Sequence, residues 1–129
     1  MVQSIIDHAS NLRADFARLL EDEEFSDVVF VLDDEQRFHA HRLVLTTRSE
    51  YYRKMFQVEM RESSEREIRL KETPAEAFKA LLRYLYTAEV DLTNMDINTL
   101  ISLCELAHKQ VNVHLEAAIT ASVNVSNDS

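Results

Sequence analysis

Phe25-Ser26-Asp27-Val28-Val29-Phe30-Val31-Leu32, followed after four polar residues by Arg37-Phe38-His39-Ala40-His41-Arg42-Leu43-Val44-Leu45, is the stretch that decides the fold. Val28 to Leu32 is an unbroken run of β-branched, aromatic and aliphatic residues and reads as a strand buried on both faces. Asp33-Asp34-Glu35-Gln36 has the composition of a turn, and Arg37-Phe38-His39-Ala40 brings the chain back as a short second strand. Leu43-Val44-Leu45 then opens a helix directly beyond that strand.

Working outward toward the N-terminus, Ile5, Ile6, Ala9, Leu12, Phe16, Leu19 and Leu20 recur at helical spacing, with Asp7, Asp15 and Arg18 off the stripe. The pattern predicts an amphipathic helix that ends by Glu21 and has one face wanting a partner. Glu21-Asp22-Glu23-Glu24 is a solvated acidic turn. In the other direction, Tyr51, Tyr52, Met55 and Phe56 form a second apolar stripe, with Ser49 placed to cap a second short helix. Glu67-Ile68-Arg69-Leu70 alternates and predicts a third strand with one face covered. Thr73-Pro74-Ala75-Glu76 combines a capping residue, proline at the first helical position and glutamate three after the cap, which predicts a helix start. Phe78, Leu81, Leu82, Leu85 and Tyr86 are the buried face of that helix.

Val90 to Leu92 is briefly extended. Thr93-Asn94-Met95-Asp96 repeats the capping pattern ahead of a helix through Ile97, Leu100, Ile101, Cys104 and Ala107, which Asn112 breaks. Val113, Leu115, Ala118 and Ile119 predict one more helix. The order is helix, hairpin, two helices, strand, three helices. That is an α+β domain with a small three-stranded sheet beside a cluster of about six helices. Residues 1–123 are expected to form the one domain, and 124–129 a tail or the start of a linker.

A chain of 129 residues buries about two-thirds of the surface its unfolded form exposes, enough for a single core. The net charge of −9 repels phosphate backbones and anionic lipid, so nucleic acid and membrane surface are poor partners and basic proteins are favoured ones. No apolar run approaches a bilayer-spanning length, and Met1-Val2-Gln3-Ser4 lacks the start of a signal peptide, so the cytoplasm or nucleus is expected. The single cysteine, Cys104, excludes an internal disulfide and suits a reducing compartment. Glycine is absent. Positions that need positive φ are therefore expected on Asp33-Asp34, Asn94, Asn112 and Asn124.

Phe25-Ser26-Asp27-Val28, Phe38 through Leu45, Ser49 through Phe56 and Tyr84-Leu85-Tyr86-Thr87, in this order and separation, resemble the BTB/POZ domain over nearly the whole chain. Ile6 through Phe25 and Met60-Arg61-Glu62-Ser63 resemble most the BTB domains of cullin-3 adaptors in which a BACK helical domain follows. Ala88 departs from the pattern, standing where the family usually has glycine after the Tyr-Thr pair, as do Val58-Glu59 ahead of the Met-Arg-Glu stretch.

The resemblance implies a homodimer formed through the first helix, with Leu12, Phe16 and Leu19 at an isologous interface. It also implies a charged pair, Asp27 and Arg42, near the seam. Val2 to Ile6 is an alternative element there, as a strand exchanged between subunits. Met60-Arg61-Glu62 matches the hydrophobic-x-Glu segment through which BTB adaptors contact a cullin-3 scaffold, an apolar anchor beside a carboxylate. Tyr52, Met55 and Phe56 are core by spacing, with one of them reaching the same surface.

The function implied is that of substrate adaptor in a cullin-3 ubiquitin ligase. The alternative is a BTB module that only self-associates or holds a co-repressor peptide at the seam. An enzymatic reading, thiol hydrolysis by Cys104 with His108 or His114, meets the objection that the thiol falls in an apolar stripe, where it is inert. His39 with His41 and Cys104 with His108 each supply two ligands, where structural zinc needs four. No metal, cofactor or small-molecule substrate is therefore expected.

Overall fold

The computed structural model describes residues 4–59 and 66–127. Strand β1 (Val28–Val31) pairs antiparallel with β2 (Arg37–Ala40) and parallel with β3 (Glu67–Arg69), giving the order β2-β1-β3. The register sets Phe30 between Phe38 and Ile68, Val29 between His39 and Glu67, and Val31 between Arg37 and Arg69. Because side chains alternate, the two faces separate cleanly. Phe30 turns to the helices and meets Tyr52 and Phe78 edge-on, with centroids 5.7 and 5.1 Å apart. On the opposite face an Arg37–Glu67 ion pair of 2.6 Å joins the two edge strands across β1. Both faces of β1 are buried, as its unbroken apolar run predicts.

Among the described residues six helices follow the predicted order: α1 (Ala9–Leu20), α2 (Arg42–Arg48), α3 (Glu50–Glu59), α4 (Ala75–Thr87), α5 (Ile97–Lys109) and α6 (Val113–Asn127). Helix α4 is the core helix, burying Phe78, Leu81, Leu82, Leu85 and Tyr86 against the sheet and its neighbours. Leu103, Ala107, Leu115 and Ile119 extend the core between α5 and α6. The Tyr52 hydroxyl accepts a hydrogen bond from Gln110 Nε2 at 2.8 Å, tying α3 to the end of α5 inside the protein.

Local chemistry moves several boundaries from their predicted places. Helix α1 begins at Ala9 because Asp7 Oδ1 accepts the Ala9 amide, leaving Ile5 and Ile6 outside it and exposed. Thr73 does not cap α4, since its hydroxyl donates to the Lys71 carbonyl and Pro74 holds the cap position with ψ 136°. Asp96, rather than Thr93, caps α5 by accepting the Thr99 amide at 2.7 Å. The buried seam of α5 is Leu103 and Ala107, and Ile97 and Ile101 face solvent. Helix α6 continues through the predicted tail to Asn127.

The positive-φ positions also differ from expectation: they fall on Glu35, Glu72, Ala88 and Val111. Three of the predicted residues, Asp33, Asp34 and Asn112, hydrogen-bond at three of these turns. Asp34 Oδ1 accepts the Gln36 amide, Asp33 Oδ2 accepts the Glu72 amide, and Asn112 Oδ1 accepts the Leu115 amide to cap α6. Helix α5 closes with paired bonds from Val111 N to His108 O and from Asn112 N to Ala107 O. That is the Schellman geometry, with valine in the place glycine normally holds. At the end of α4, Ala88 N donates to Tyr84 O at 2.7 Å with φ 61°, so the residue replacing the expected glycine keeps the left-handed conformation.

Candidate interaction surfaces

Helix α1 lies against α4, and α2 flanks the same end of α4. Between them runs a cavity of about 500 Å³ lined by Leu12 and Phe16 of α1, Leu43 and Val44 of α2, and Leu85 and Tyr86 of α4. Leu12 and Leu43 are 58% and 78% exposed, so this apolar surface is open in the single chain. Two arginines hold its walls together. Arg13 Nε donates to the Thr87 carbonyl at 3.0 Å and Arg48 Nε to the Leu85 carbonyl at 2.8 Å. Both cations sit on the negative end of the α4 dipole, where terminal carbonyls lack partners within the helix. The groove is thus a built feature of three helices.

Of the residues assigned to self-association, Leu12 and Phe16 line the groove, whereas Leu19 is half-buried and packs toward the core. Asp27 Oδ1 accepts the backbone amide of Arg42 at 2.8 Å, fixing the start of α2. The Arg42 guanidinium lies over the Phe56 ring, 5.4 Å from its centroid, so aromatic packing is one of its contacts.

Of the residues assigned to the scaffold surface, Tyr52 and Phe56 are 0% and 2% exposed. This corrects their assignment to that surface: both are core side chains, with Tyr52 packing against Phe30 and against Phe56. Met55 is half-buried and is the one of the three that reaches the surface. Met60 and Glu62 lie outside the described residues.

Leu43, Arg13 and Arg48 escaped the sequence reading. Leu43 could have been found: three consecutive apolar residues on a helix, each turned about 100° from the last, span more than one face, so one of Leu43-Val44-Leu45 had to turn outward. The two arginines carry no such signal, because their carbonyl partners are distant in sequence.

His39 sits on the outer face of β2, with Nε2 3.8 Å from Glu23 Oε1, while His41 lies past the end of β2 and is buried. His108 Nδ1 faces the Glu116 carboxylate of α6 at 3.0 and 3.2 Å. Among the described residues no three His, Cys, Asp or Glu converge as metal ligands. Nor is any described helix long and apolar enough to cross a membrane.

The chain belongs to the BTB/POZ domain family, whose profile matches residues 16–122, a family of non-catalytic interaction domains. It is 39% identical over 116 residues to "BTB/POZ domain-containing protein 9" of Drosophila melanogaster, a match covering 90% of this chain and 16% of that protein. The human protein of the same name is 44% identical over 105 residues, covering 81% and 17%. "Kelch repeat and BTB domain-containing protein 8" of Danio rerio is 32% identical over 99 residues, covering 77% and 16%. The chain therefore spans about a sixth of the length of these relatives. The BTB domain of human gigaxonin superposes with a TM-score of 0.70 at 17% identity, covering 94% of this chain and 97% of that one. The BTB domain of zebrafish PATZ1 does so at 0.75 and 18%, covering 96% and 98%.

Proposed function

We propose that this domain self-associates through the α1–α2–α4 groove and serves as the adaptor half of a cullin-3 ubiquitin ligase. The observation that carries self-association is the exposure of Leu12 and Leu43 on either side of the groove, an apolar surface that a second copy would remove from water. The scaffold contact is assigned to Met60-Arg61-Glu62 together with Met55. Membership of the BTB family and relatives that carry Kelch repeats support an adaptor role in which another domain holds the substrate.

Calorimetry with the N-terminal region of cullin-3 tests the scaffold contact. Wild type should bind, and Met60→Asp should bind at least about tenfold more weakly, the loss of roughly 1.4 kcal/mol that an apolar anchor supplies. Absence of binding by wild type, or equal binding by both, rejects the assignment.

A further inference from the structure

His41 stands between β2 and α2, and its imidazole is the one buried histidine ring among the described residues. The Tyr86 hydroxyl, from α4, meets it twice. Tyr86 Oη accepts the His41 amide proton at 2.8 Å and lies 2.7 Å from His41 Nδ1. In the arrangement that leaves no polar proton of this contact unused, the phenol gives its own proton to Nδ1, and the neutral ring then carries its proton on Nε2. Burial raises the Tyr86 pKa, which keeps that phenol protonated. His41 Nε2 is buried and has no hydrogen bond of ordinary geometry among the described residues, with the Asp22 backbone the polar group facing the ring. Tyr86 lines the groove, and Leu43 and Val44, the second and third residues after His41, line its opposite wall. The contact therefore fastens the α2 wall to α4.

We propose that the His41–Tyr86 contact is a proton-operated latch on the groove: protonation at Nδ1 replaces an acceptor with a second donor, leaves the buried phenol proton without its acceptor, and loosens α2 from α4. The link to assembly rests on the reading of the groove as the dimer face.

The charges around the ring set the direction of the response. Burial is the largest influence and lowers the His41 pKa from the ordinary 6.5, and His39 on β2 acts the same way. Asp27, ahead of β1, raises it, as does Asp22, after α1, through its backbone and its carboxylate. The Arg42 guanidinium, next in the chain, is placed over Phe56. An unfolded chain takes up this proton as pH falls through the ordinary histidine value, while the folded ring resists it. The latch therefore contributes its stability above that value and loses it as pH falls toward the lowered folded value.

The test compares wild type, His41→Gln and Tyr86→Phe between about pH 7.5 and about pH 5, across the ordinary histidine range. Sedimentation equilibrium reads the dimer dissociation constant and calorimetry the melting temperature. Wild type should weaken as a dimer by roughly fivefold or more, the low end of site-to-site coupling, and should lose melting temperature over the same interval. Both losses should be much smaller in His41→Gln, and smaller than wild type in Tyr86→Phe, where burial of the ring still leaves part of the melting loss. Equal losses in wild type and in whichever variant folds would overturn the latch, as would a wild type unchanged across the interval. If no dimer forms at either pH, the groove reading fails on its own account. Melting then decides the latch: a loss larger in wild type than in both variants upholds it, and an equal loss overturns it.

Discussion

Val111→Gly should stabilise this protein, an unusual expectation for a large-to-small substitution. Val111 closes α5 with φ 55°, and a β-carbon in that left-handed region costs roughly 1 to 2 kcal/mol, toward the upper figure for a β-branched residue. Its side chain is 75% exposed, so deleting it forfeits only about a quarter of a valine's burial, on the order of 0.4 kcal/mol. Glycine adds backbone freedom to the unfolded chain worth about 0.5 to 1 kcal/mol. From a strain near 2 kcal/mol these leave a net gain of about 1 kcal/mol, which raises the melting temperature of a domain this size by about 4 °C. The bonds from Val111 N to His108 O and Asn112 N to Ala107 O involve backbone alone and survive the change. Differential scanning calorimetry of wild type, Val111→Gly and Val111→Ala measures the effect. Alanine keeps the β-carbon and should recover only a minor part of the gain. A glycine variant that melts at or below wild type, or an alanine variant that matches it, would refute strain at this helix end.

Other side chains give predictions of their own. Tyr52→Phe removes the acceptor of the buried Gln110 amide and should cost about 1 to 3 kcal/mol in urea unfolding, the penalty of a buried donor left unmade; a double variant with Gln110→Leu should recover part of it. Arg48→Ala strips the Leu85 carbonyl of a charged donor and should destabilise by roughly 1 to 2 kcal/mol, visible as a lower urea midpoint. Asp27→Asn retains an oxygen for the Arg42 amide, so in thermal unfolding it should cost less than Asp27→Ala; equal losses would mean that the carboxylate's charge matters instead.

The architecture was legible in the sequence because its signals are local. The unbroken run from Val28 to Leu32, the return at Arg37 and the stripe from Phe78 to Tyr86 each mark an element locally, and all three elements appear there, the first strand ending one residue early at Val31. Helix ends were less legible, since several residues compete for one cap. Thr93 and Asp96 both suit the start of α5, and only the backbone path gives the position to Asp96. The left-handed positions went to Glu35 and Val111, immediately beside the predicted Asp34 and Asn112. Side-chain hydrogen bonding and positive φ are two uses of the same turn, and composition does not separate them. In the groove, Leu12 and Phe16 follow from amphipathicity. Leu43, Arg13, Arg48 and the His41–Tyr86 contact depend on tertiary packing between residues that are 37 to 74 apart where hydrogen bonds join them, and no local pattern encodes that.

The central claim is that the α1–α2–α4 groove joins two copies of this chain. Leu12 and Leu43 are its exposed large apolar side chains, so Leu12→Glu and Leu43→Glu place a carboxylate in the groove without disturbing the single chain's core. Sedimentation equilibrium from about 1 to about 100 μM, a range that resolves dissociation constants of micromolar order, should give a two-chain mass for wild type and a one-chain mass for both variants, with melting of the isolated chain preserved. A wild type that stays at one-chain mass throughout, or variants that dimerise as tightly as wild type, would contradict the claim.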